Sequence, residues 1–334
     1  MIPSGLKHSI SYLLKILLPF FLCGGILYWM YRDFDFSRIE HVLWHEMNWT
    51  WMLLSFPFGI LAQTFRGWRW RQTLEPVDEH PRLSTLVNSV FLSYALSLVI
   101  PRVGEFARCA VLKRKENVSF AKALGTVVTE RAIDSLLVLL IAAGVFLWQI
   151  PIFTSFFSRT GTTLDSFLTR FSLTGYLVTA ICAAAVAVML YFLLRRLAIY
   201  DKVRTTITGI WQGISSLKNV KDKPLFIFFT LAIWLSYFLH YYLTFFCFEA
   251  TSSLGLSAAL VTFIVGSIAV IVPTPNGAGP WHFAVKTMLI LYGIADTDAL
   301  YFVLIVHTVQ TLLVVALGVL ASVSLSWNFR HSTK

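Results

Sequence analysis

The chain has 334 residues, of which 57% are hydrophobic and only 13% charged, and its mean hydropathy is +0.71. A soluble globular chain carries roughly twice that share of charge, so the composition excludes a water-soluble enzyme and points to a membrane protein. The formal net charge of +10 is then a topology signal and not the footprint of a nucleic-acid partner.

Apolar runs long enough to cross roughly 30 Å of hydrocarbon occur at Ile10 to Met30, Trp49 to Phe65, Leu136 to Ile150 with a polar lead-in from Ala121, Leu173 to Leu194, Leu225 to Phe248, and Leu300 to Leu325. The first follows Lys7, and no small-residue cleavage site comes after Gly24-Gly25, so it reads as a retained helix and not as a signal peptide. Shorter or interrupted runs occur at Leu83 to Ile100, Leu256 to Val272 and Trp281 to Tyr292.

Two of these stretches are broken by Pro and Gly at corresponding places in the two halves. The first break reads Ile100-Pro101-Arg102-Val103-Gly104-Glu105, and the second Val272-Pro273-Thr274-Pro275-Asn276-Gly277-Ala278-Gly279-Pro280. A broken helix frees backbone groups that hydrocarbon cannot satisfy, so it persists at membrane depth only under protein or a watery cavity. Paired breaks are the best sequence pointer to a transporter's substrate site.

Basic residues cluster after the second run (Arg66, Arg69, Arg71), after the first break (Lys113, Arg114, Lys115), between Arg195 and Lys223, and at Arg330 and Lys334. An excess of Lys and Arg marks cytoplasmic loops. All four clusters share one side only if Leu83 to Leu112 dips in and returns, and if Leu256 to Tyr292 does so from the opposite face. The expected fold is therefore an all-α polytopic membrane protein with six full transmembrane helices plus two re-entrant helical hairpins arranged as inverted repeats. Repeat one covers 1–150 and repeat two 173–326 of a single 1–334 domain. Both termini are then cytoplasmic in a cell (inner) membrane. Eight ordinary spans with turns at Pro101 and Pro275 are the alternative.

Amphipathic stretches at Asp201 to Val220 and at Ile39 to Met47 flank the spans. Tryptophans 49, 51, 68, 70, 148, 211, 281 and 327 sit near span ends, as interfacial belts do. Cys23, Cys109, Cys182 and Cys247 form no motif and read as packing residues.

The sharpest chemistry follows the first break. Glu130, Arg131 and Asp134 begin a helix that turns wholly apolar at Leu136, with Glu130 and Asp134 one turn apart on one face. Ionisable groups near membrane depth face a bundle interior or watery cavity and pair. Arg102, Glu105 and Arg108 are their natural partners, either as a structural clamp between hairpin and helix or as part of a substrate site. At the second break, Gly277 and Gly279 permit a tight turn and Pro280 suits the first position of a returning half-helix. Such an N-terminus is an anion site, which with Arg102 and Arg108 suggests a lipid phosphate; a plain solvent-facing turn is the alternative. Arg66 and Arg69, alternating with tryptophans, read as snorkelling interfacial anchors more than as headgroup selectors. His240 and His307 (with Gln310) read as helix–helix hydrogen-bonding groups. His282, one turn beyond Gly279, is the histidine expected in a site. No metal motif and no cofactor motif is recognised.

Pro101-Arg102-Val103-Gly104-Glu105-Phe106-Ala107-Arg108, Glu130-Arg131-Ala132-Ile133-Asp134 and Pro275-Asn276-Gly277-Ala278-Gly279 resemble, in order and spacing, three signature blocks of the lysylphosphatidylglycerol synthase transmembrane-region family. That family includes the flippase domain of the multiple peptide resistance factor and stand-alone flippase-like proteins. The resemblance implies a polytopic flippase fold that moves an anionic or aminoacylated lipid, or a polyprenyl-phosphate-linked sugar, between leaflets. It does not imply synthase activity, which belongs to a separate soluble domain; only a short tail follows Trp327 here. The family's last block commonly continues Gly-x-Gly-x-x-Glu, whereas His282 holds the acidic position here, so neither substrate identity nor a proton-coupled carboxylate carries over.

The reading is a lipid flippase whose partners are membrane lipids. Arg102 and Arg108 neutralise a phosphate, the turn from Asn276 through Gly277 and Gly279 caps it beside His282, and Glu105, Glu130, Arg131 and Asp134 form an ion network or proton relay. A membrane-embedded lipid or glycan transferase using the acidic cluster as general base, and a non-catalytic partner of a glycosyltransferase or lipid-modifying enzyme, are the alternatives.

Overall fold

The computed structural model describes residues 20–150, 208 and 216–331. The expected span Leu173 to Leu194, the start of the first run, and most of the Asp201 to Val220 stretch lie outside the described residues. All regular structure among the described residues is helical.

Helix α1 (Phe20–Tyr31) leads to a short turn of helix between Phe36 and Glu46. Asp35 opens that turn by accepting the Ser37 hydroxyl at 2.6 Å and the Ser37 amide at 2.9 Å, and the hydroxyl bond first, then the amide bond, hold its carboxyl below the usual carboxylate range. Helix α2 (Trp49–Leu74) starts where Asn48 accepts the Thr50 amide at 3.0 Å, satisfying one of the amides a helix start leaves free. Next come α3 (Leu83–Ser97), α4 (Val103–Glu116) and α5 (Phe120–Trp148). Helix α6 (Lys223–Tyr242) is capped by Asp222, which accepts the Leu225 amide at 2.9 Å. Helices α7 (Leu256–Ala269), α8 (Pro280–Leu291) and α9 (Asp296–His331) complete the described chain.

Phe120–Trp148, Lys223–Cys247 and Asp296–Trp327 are long and apolar enough to cross a membrane. Leu136, Leu139 and Leu140 on α5 are 60%, 63% and 62% exposed, a continuous apolar surface that only lipid or another protein would cover. The molecule is thus an integral multi-pass membrane protein. Helix α2 is 26 residues long, yet it carries Arg66, Arg69 and Arg71 in its last turns, so its apolar stretch is shorter than its helix.

The two Pro/Gly breaks each join a pair of short helices. The arms α3, α4, α7 and α8 have 15, 14, 14 and 12 residues, so each is at most about 23 Å long, short of a hydrocarbon core of roughly 30 Å. Arms α3 and α4 pack together, as do α7 and α8. The first crossing depends on Gly104, where an added Cβ would lie 1.9 Å from the Ser93 carbonyl oxygen. Arg102 holds a left-handed backbone, φ 63°, at the first tip, and Asn276 does so at the second, φ 53°.

Helix α2 runs against α6, α3 packs on α9, and α7 packs on α5. Each hairpin therefore leans on the last long helix of the opposite half. Asn88 Nδ2 donates to Ser324 Oγ at 3.1 Å and Lys115 Nζ to the Leu325 carbonyl at 2.8 Å, tying the first hairpin to α9.

The largest core joins Met52, Tyr241, Phe245, Val285, Leu289 and Phe302, with Val42 and Met47 from the turn before α2. The apolar side of Ile39 to Met47 is thus spent on the protein core. A second core groups Trp70, Leu74, Leu86, Cys109, Leu112 and Val127. Trp148 and Trp327 are exposed, as belt residues are, but Trp70 is fully buried, which corrects its reading as an interfacial ring.

Candidate functional site

Helix α2 carries Gln63, Arg66 and Arg69 at three-residue spacing, and α5 carries Glu130 and Asp134 at four, so each set shares one helix face. The faces meet. Arg66 Nη1 donates to Asp134 Oδ2 at 2.6 Å, and Arg69 Nη2 stands 2.8 Å from Asp134 Oδ1. Arg69 also lies 3.7 Å from Glu130 Oε1 and donates to Thr230 Oγ1 of α6 at 3.2 Å. Arg66 and Arg69 are 2% and 0% exposed. This overturns their reading as snorkelling anchors: charges at this depth are tolerated because carboxylates from a second helix receive them.

The first hairpin supplies the third cation. Arg108 is 1% exposed and donates from Nη2 to Glu130 Oε2 at 2.9 Å. Its guanidinium carbon lies 4.4 Å from the Trp70 ring centroid, and the indole Nε1 donates to Thr126 Oγ1 at 2.9 Å. Arg131 turns outward to Glu105 at 3.0 Å, both about one-third exposed, and reaches Asp134 only at 3.8 Å. The hairpin–helix pairs Arg108–Glu130 and Glu105–Arg131 are thus brought together. Arg102 is exposed at the hairpin tip, whereas Arg108 is buried.

Three buried guanidiniums, of Arg66, Arg69 and Arg108, face two buried carboxylates, of Glu130 and Asp134. The pair Arg131–Glu105 adds one charge of each sign. The cluster keeps an excess of one positive charge.

A cavity of about 360 Å³ opens beside this cluster, between α2, α3, α6, α7, α8 and α9. Gln63, Tyr94 and Tyr237 form the wall nearest the cluster in sequence and contact. Tyr237 donates its hydroxyl to Tyr94 at 2.8 Å, and the Arg66 guanidinium carbon lies 6.0 Å from the Tyr237 ring centroid. The opposite wall comes from the second break: Asn276 Nδ2 donates to Thr311 Oγ1 at 2.6 Å, and His307 Nε2 lies 3.2 Å from the Asn276 carbonyl oxygen.

Of that break, only Asn276 is among the residues lining the cavity. The Gly277 and Ala278 amides donate to Thr274 and Pro275 carbonyls at 3.0 and 2.9 Å, and the Gly279 amide donates to His282 Nδ1 at 3.3 Å. These amides are spent inside the turn, so the expected anion cap is not formed by them. Gly279, φ +86°, faces Ile26 and the Cys23 carbonyl of α1. His282 is 3% exposed, its ring centroid 4.4 Å from that of His307. The fold brings these two histidines together from positions that sequence spacing keeps apart. Among the described residues, no three His, Cys, Asp or Glu side chains are grouped to hold a metal. His240 and Gln310 do join helices: His240 Nδ1 lies 2.8 Å from the Ser55 carbonyl, and Gln310 donates to the His240 carbonyl at 3.0 Å.

Sequence alone does not single out Gln63, Tyr94, Thr230 or Tyr237, and it reads Trp70 only as an interfacial ring. Only Gln63 carried a signal, the three-residue spacing to Arg66 and Arg69.

The profile of one protein family, described as Lysylphosphatidylglycerol synthase TM region, matches residues 13–318. No curated protein and no solved structure matches the chain.

Proposed function

The chain belongs to the lysylphosphatidylglycerol synthase TM-region family, and we propose that it is a lipid flippase or translocase, moving an anionic, aminoacylated or polyprenyl-phosphate-linked lipid between membrane leaflets. The observation that carries this reading is the cavity set between helices of both halves, its largely apolar wall interrupted by Gln63, Tyr94, His240, Asn276 and His307, with a buried cluster of net positive charge on one side. A headgroup crossing a bilayer needs polar partners at depth, and apolar helix surface outside keeps its chains in lipid.

The re-entrant, inverted-repeat topology belongs to the same proposal. It is supported by the short arms of both hairpins, by the pairing of α2 with α6, and by the exchange in which α3 packs on α9 while α7 packs on α5. An inverted pair of three-helix-plus-hairpin units gives that reciprocal pattern naturally, and places the basic clusters and both termini on the cytoplasmic side of an inner membrane. In this scheme the ion cluster fixes α4 and α5 to α2 as one body. The second hairpin, held by Asn276, His307 and Thr311, belongs to the other wall, and relative movement of the two walls exposes the cavity to one leaflet and then the other.

The test is leaflet transfer in proteoliposomes. Purified protein is reconstituted with tail-labelled fluorescent lipids, and inner-leaflet label is counted by its protection from a membrane-impermeant reductant. The reading predicts faster loss of protection than in protein-free vesicles, with the lipid's mass unchanged. Transfer no faster than in empty vesicles for every lipid class above would overturn it, and a change of lipid mass would assign a transferase instead.

A further inference from the structure

The cavity wall carries polar groups that no protein atom satisfies. Gln63 and Trp234 line the cavity, and the buried Gln63 Oε1 and Trp234 Nε1 of these two side chains have no hydrogen-bond partner, so a ligand reaches them after a small turn of either side chain. One is an acceptor and the other a donor. Tyr94 accepts the Tyr237 hydroxyl hydrogen, which leaves its own O–H free to donate. Leaving such groups unpaired costs free energy in any buried setting, and their natural complement is a ligand that offers both hydrogen-bond roles.

The rest of the lining narrows that ligand. Phe263, Trp281, Tyr241 and Trp234 present aromatic surface, and no Asp, Glu, Lys or Arg is among the lining residues. The Arg66 charge stands close by, against the Tyr237 ring, but it is committed to Asp134 at 2.6 Å. A bare phosphate could use only the donors and would find no Lys or Arg on the wall, where the histidines His240 and His307 are already engaged with the Ser55 and Asn276 carbonyls. An ammonium group could use only the acceptor and would find no carboxylate. A ring bearing hydroxyl groups uses both roles and lays its C–H faces on aromatic rings, and about 360 Å³ lies within the range of roughly 300 to 1,000 Å³ typical of small-ligand pockets.

We infer that this cavity binds an uncharged polyhydroxylated unit, a sugar, so that the lipid carried is a sugar-linked one, which replaces the anionic and aminoacylated headgroups among the classes proposed above, with its sugar on the Gln63–Tyr94–Trp234 wall. The inference rests on the translocase reading for the word lipid, and on the cavity alone for the word sugar.

The experiment uses the full chain in nanodiscs and in proteoliposomes. Three lipids with the same acyl chains are compared: a glucosyl diacylglycerol, phosphatidic acid, and a trimethylammonium diacyl lipid, with methyl glucoside as a soluble fourth probe. Binding is read by quenching of tryptophan fluorescence, and transfer by the leaflet assay. The glucosyl lipid is expected to bind at least about tenfold more tightly than the other two lipids. Gln63→Met and Trp234→Phe should each weaken it about tenfold, the scale of one lost buried hydrogen bond, while Gly144→Ala, at an open position, leaves it unchanged. Trp234→Phe keeps an aromatic ring in place, so it tests the lost donor even if Gln63→Met folds poorly. Tighter binding of phosphatidic acid or the ammonium lipid, or glucosyl binding indifferent to both variants, overturns the sugar assignment and leaves translocation standing. Sugar-dependent quenching without leaflet transfer of any lipid upholds the sugar site and removes the translocase reading. Quenching by methyl glucoside and not by the glucosyl lipid assigns the site to a free sugar.

Discussion

Arg108 of α4 sits over the face of Trp70 of α2, guanidinium carbon to ring centroid 4.4 Å, with both side chains almost wholly buried. The contact explains how a cluster with one surplus guanidinium exists inside the protein: Glu130 takes one edge of Arg108 and the indole face supports its plane. A desolvated cation–π contact is worth about 2 kcal/mol or more. Trp70→Leu removes the ring, the cation contact and the bond to Thr126, so the melting temperature in detergent should fall markedly. Trp70→Phe keeps a weaker π face and should fall less. Equal losses for the two variants would show that the ring's volume matters and its π face does not.

The surplus charge also orders the effects of removing each member. Asp134→Asn leaves Arg66 and Arg69 facing one carboxylate fewer, and raises the buried imbalance. Arg66→Met removes the surplus. Breaking a buried pair costs about 3 to 5 kcal/mol, and Asp134→Asn should lie at or beyond the upper end while Arg66→Met lies at or below the lower. Arg131→Ala, at a partly exposed pair, should cost less than either. Monodisperse yield and thermal unfolding of the three variants decide this. If Asp134→Asn is milder than Arg66→Met, the cluster is not governed by an excess of positive charge.

Topology is open to direct chemical labelling. With the four native cysteines replaced, single cysteines at Arg114 and Lys221, both exposed, should react with a membrane-impermeant maleimide only from the cytoplasmic side. A cysteine at Arg102, on the hairpin tip, should stay unreactive from outside. Labelling of the Arg102 site from outside would mean that α3 and α4 together cross the membrane, and the eight-span arrangement would replace the re-entrant one.

The helical membrane class, both breaks and the acidic face of α5 were legible because each rests on local pattern: hydropathy, Pro/Gly punctuation, and four-residue spacing. The partners of Glu130 and Asp134 were half legible. Arg108 and Glu105 lie nearby in sequence on the preceding hairpin, whereas Arg66 and Arg69 lie more than sixty residues away on a helix whose tryptophans imitate an interfacial anchor. Local composition cannot distinguish an arginine that snorkels to headgroups from one that a distant carboxylate draws inward. The glycines of the second break misled for a related reason. Gly277 and Gly279 do adopt positive φ, as their type suggests, but the turn's own carbonyls and His282 take up the amides, and Asn276 is the residue that reaches the cavity. Tyr94 and Tyr237 gave no signal, since a tyrosine within an apolar run is ordinary until two meet across helices.

The first hairpin offers the cleanest test of the fold, because its crossing has no room for a side chain. A Cβ on Gly104 would stand 1.9 Å from the Ser93 carbonyl oxygen and 2.5 Å from Ser97 Oγ. The carbonyl belongs to helix backbone, so it cannot swing aside as a flexible side chain could. Gly104→Ala must therefore force α4 away from α3, and that displacement pulls Arg108 from Glu130 and Trp70, exposing two buried charges. Gly144→Ala meets nothing within 4 Å on the long helix α5, where alanine is favoured over glycine by about 0.5 to 1 kcal/mol. The pair should diverge: Gly104→Ala loses most of its monodisperse protein in detergent, and Gly144→Ala melts at or slightly above the parent temperature. A Gly104→Ala protein that folds and melts like the parent would show that the hairpin arms do not cross at this closeness, and with that the alignment of Arg108 over Trp70 would fail as well.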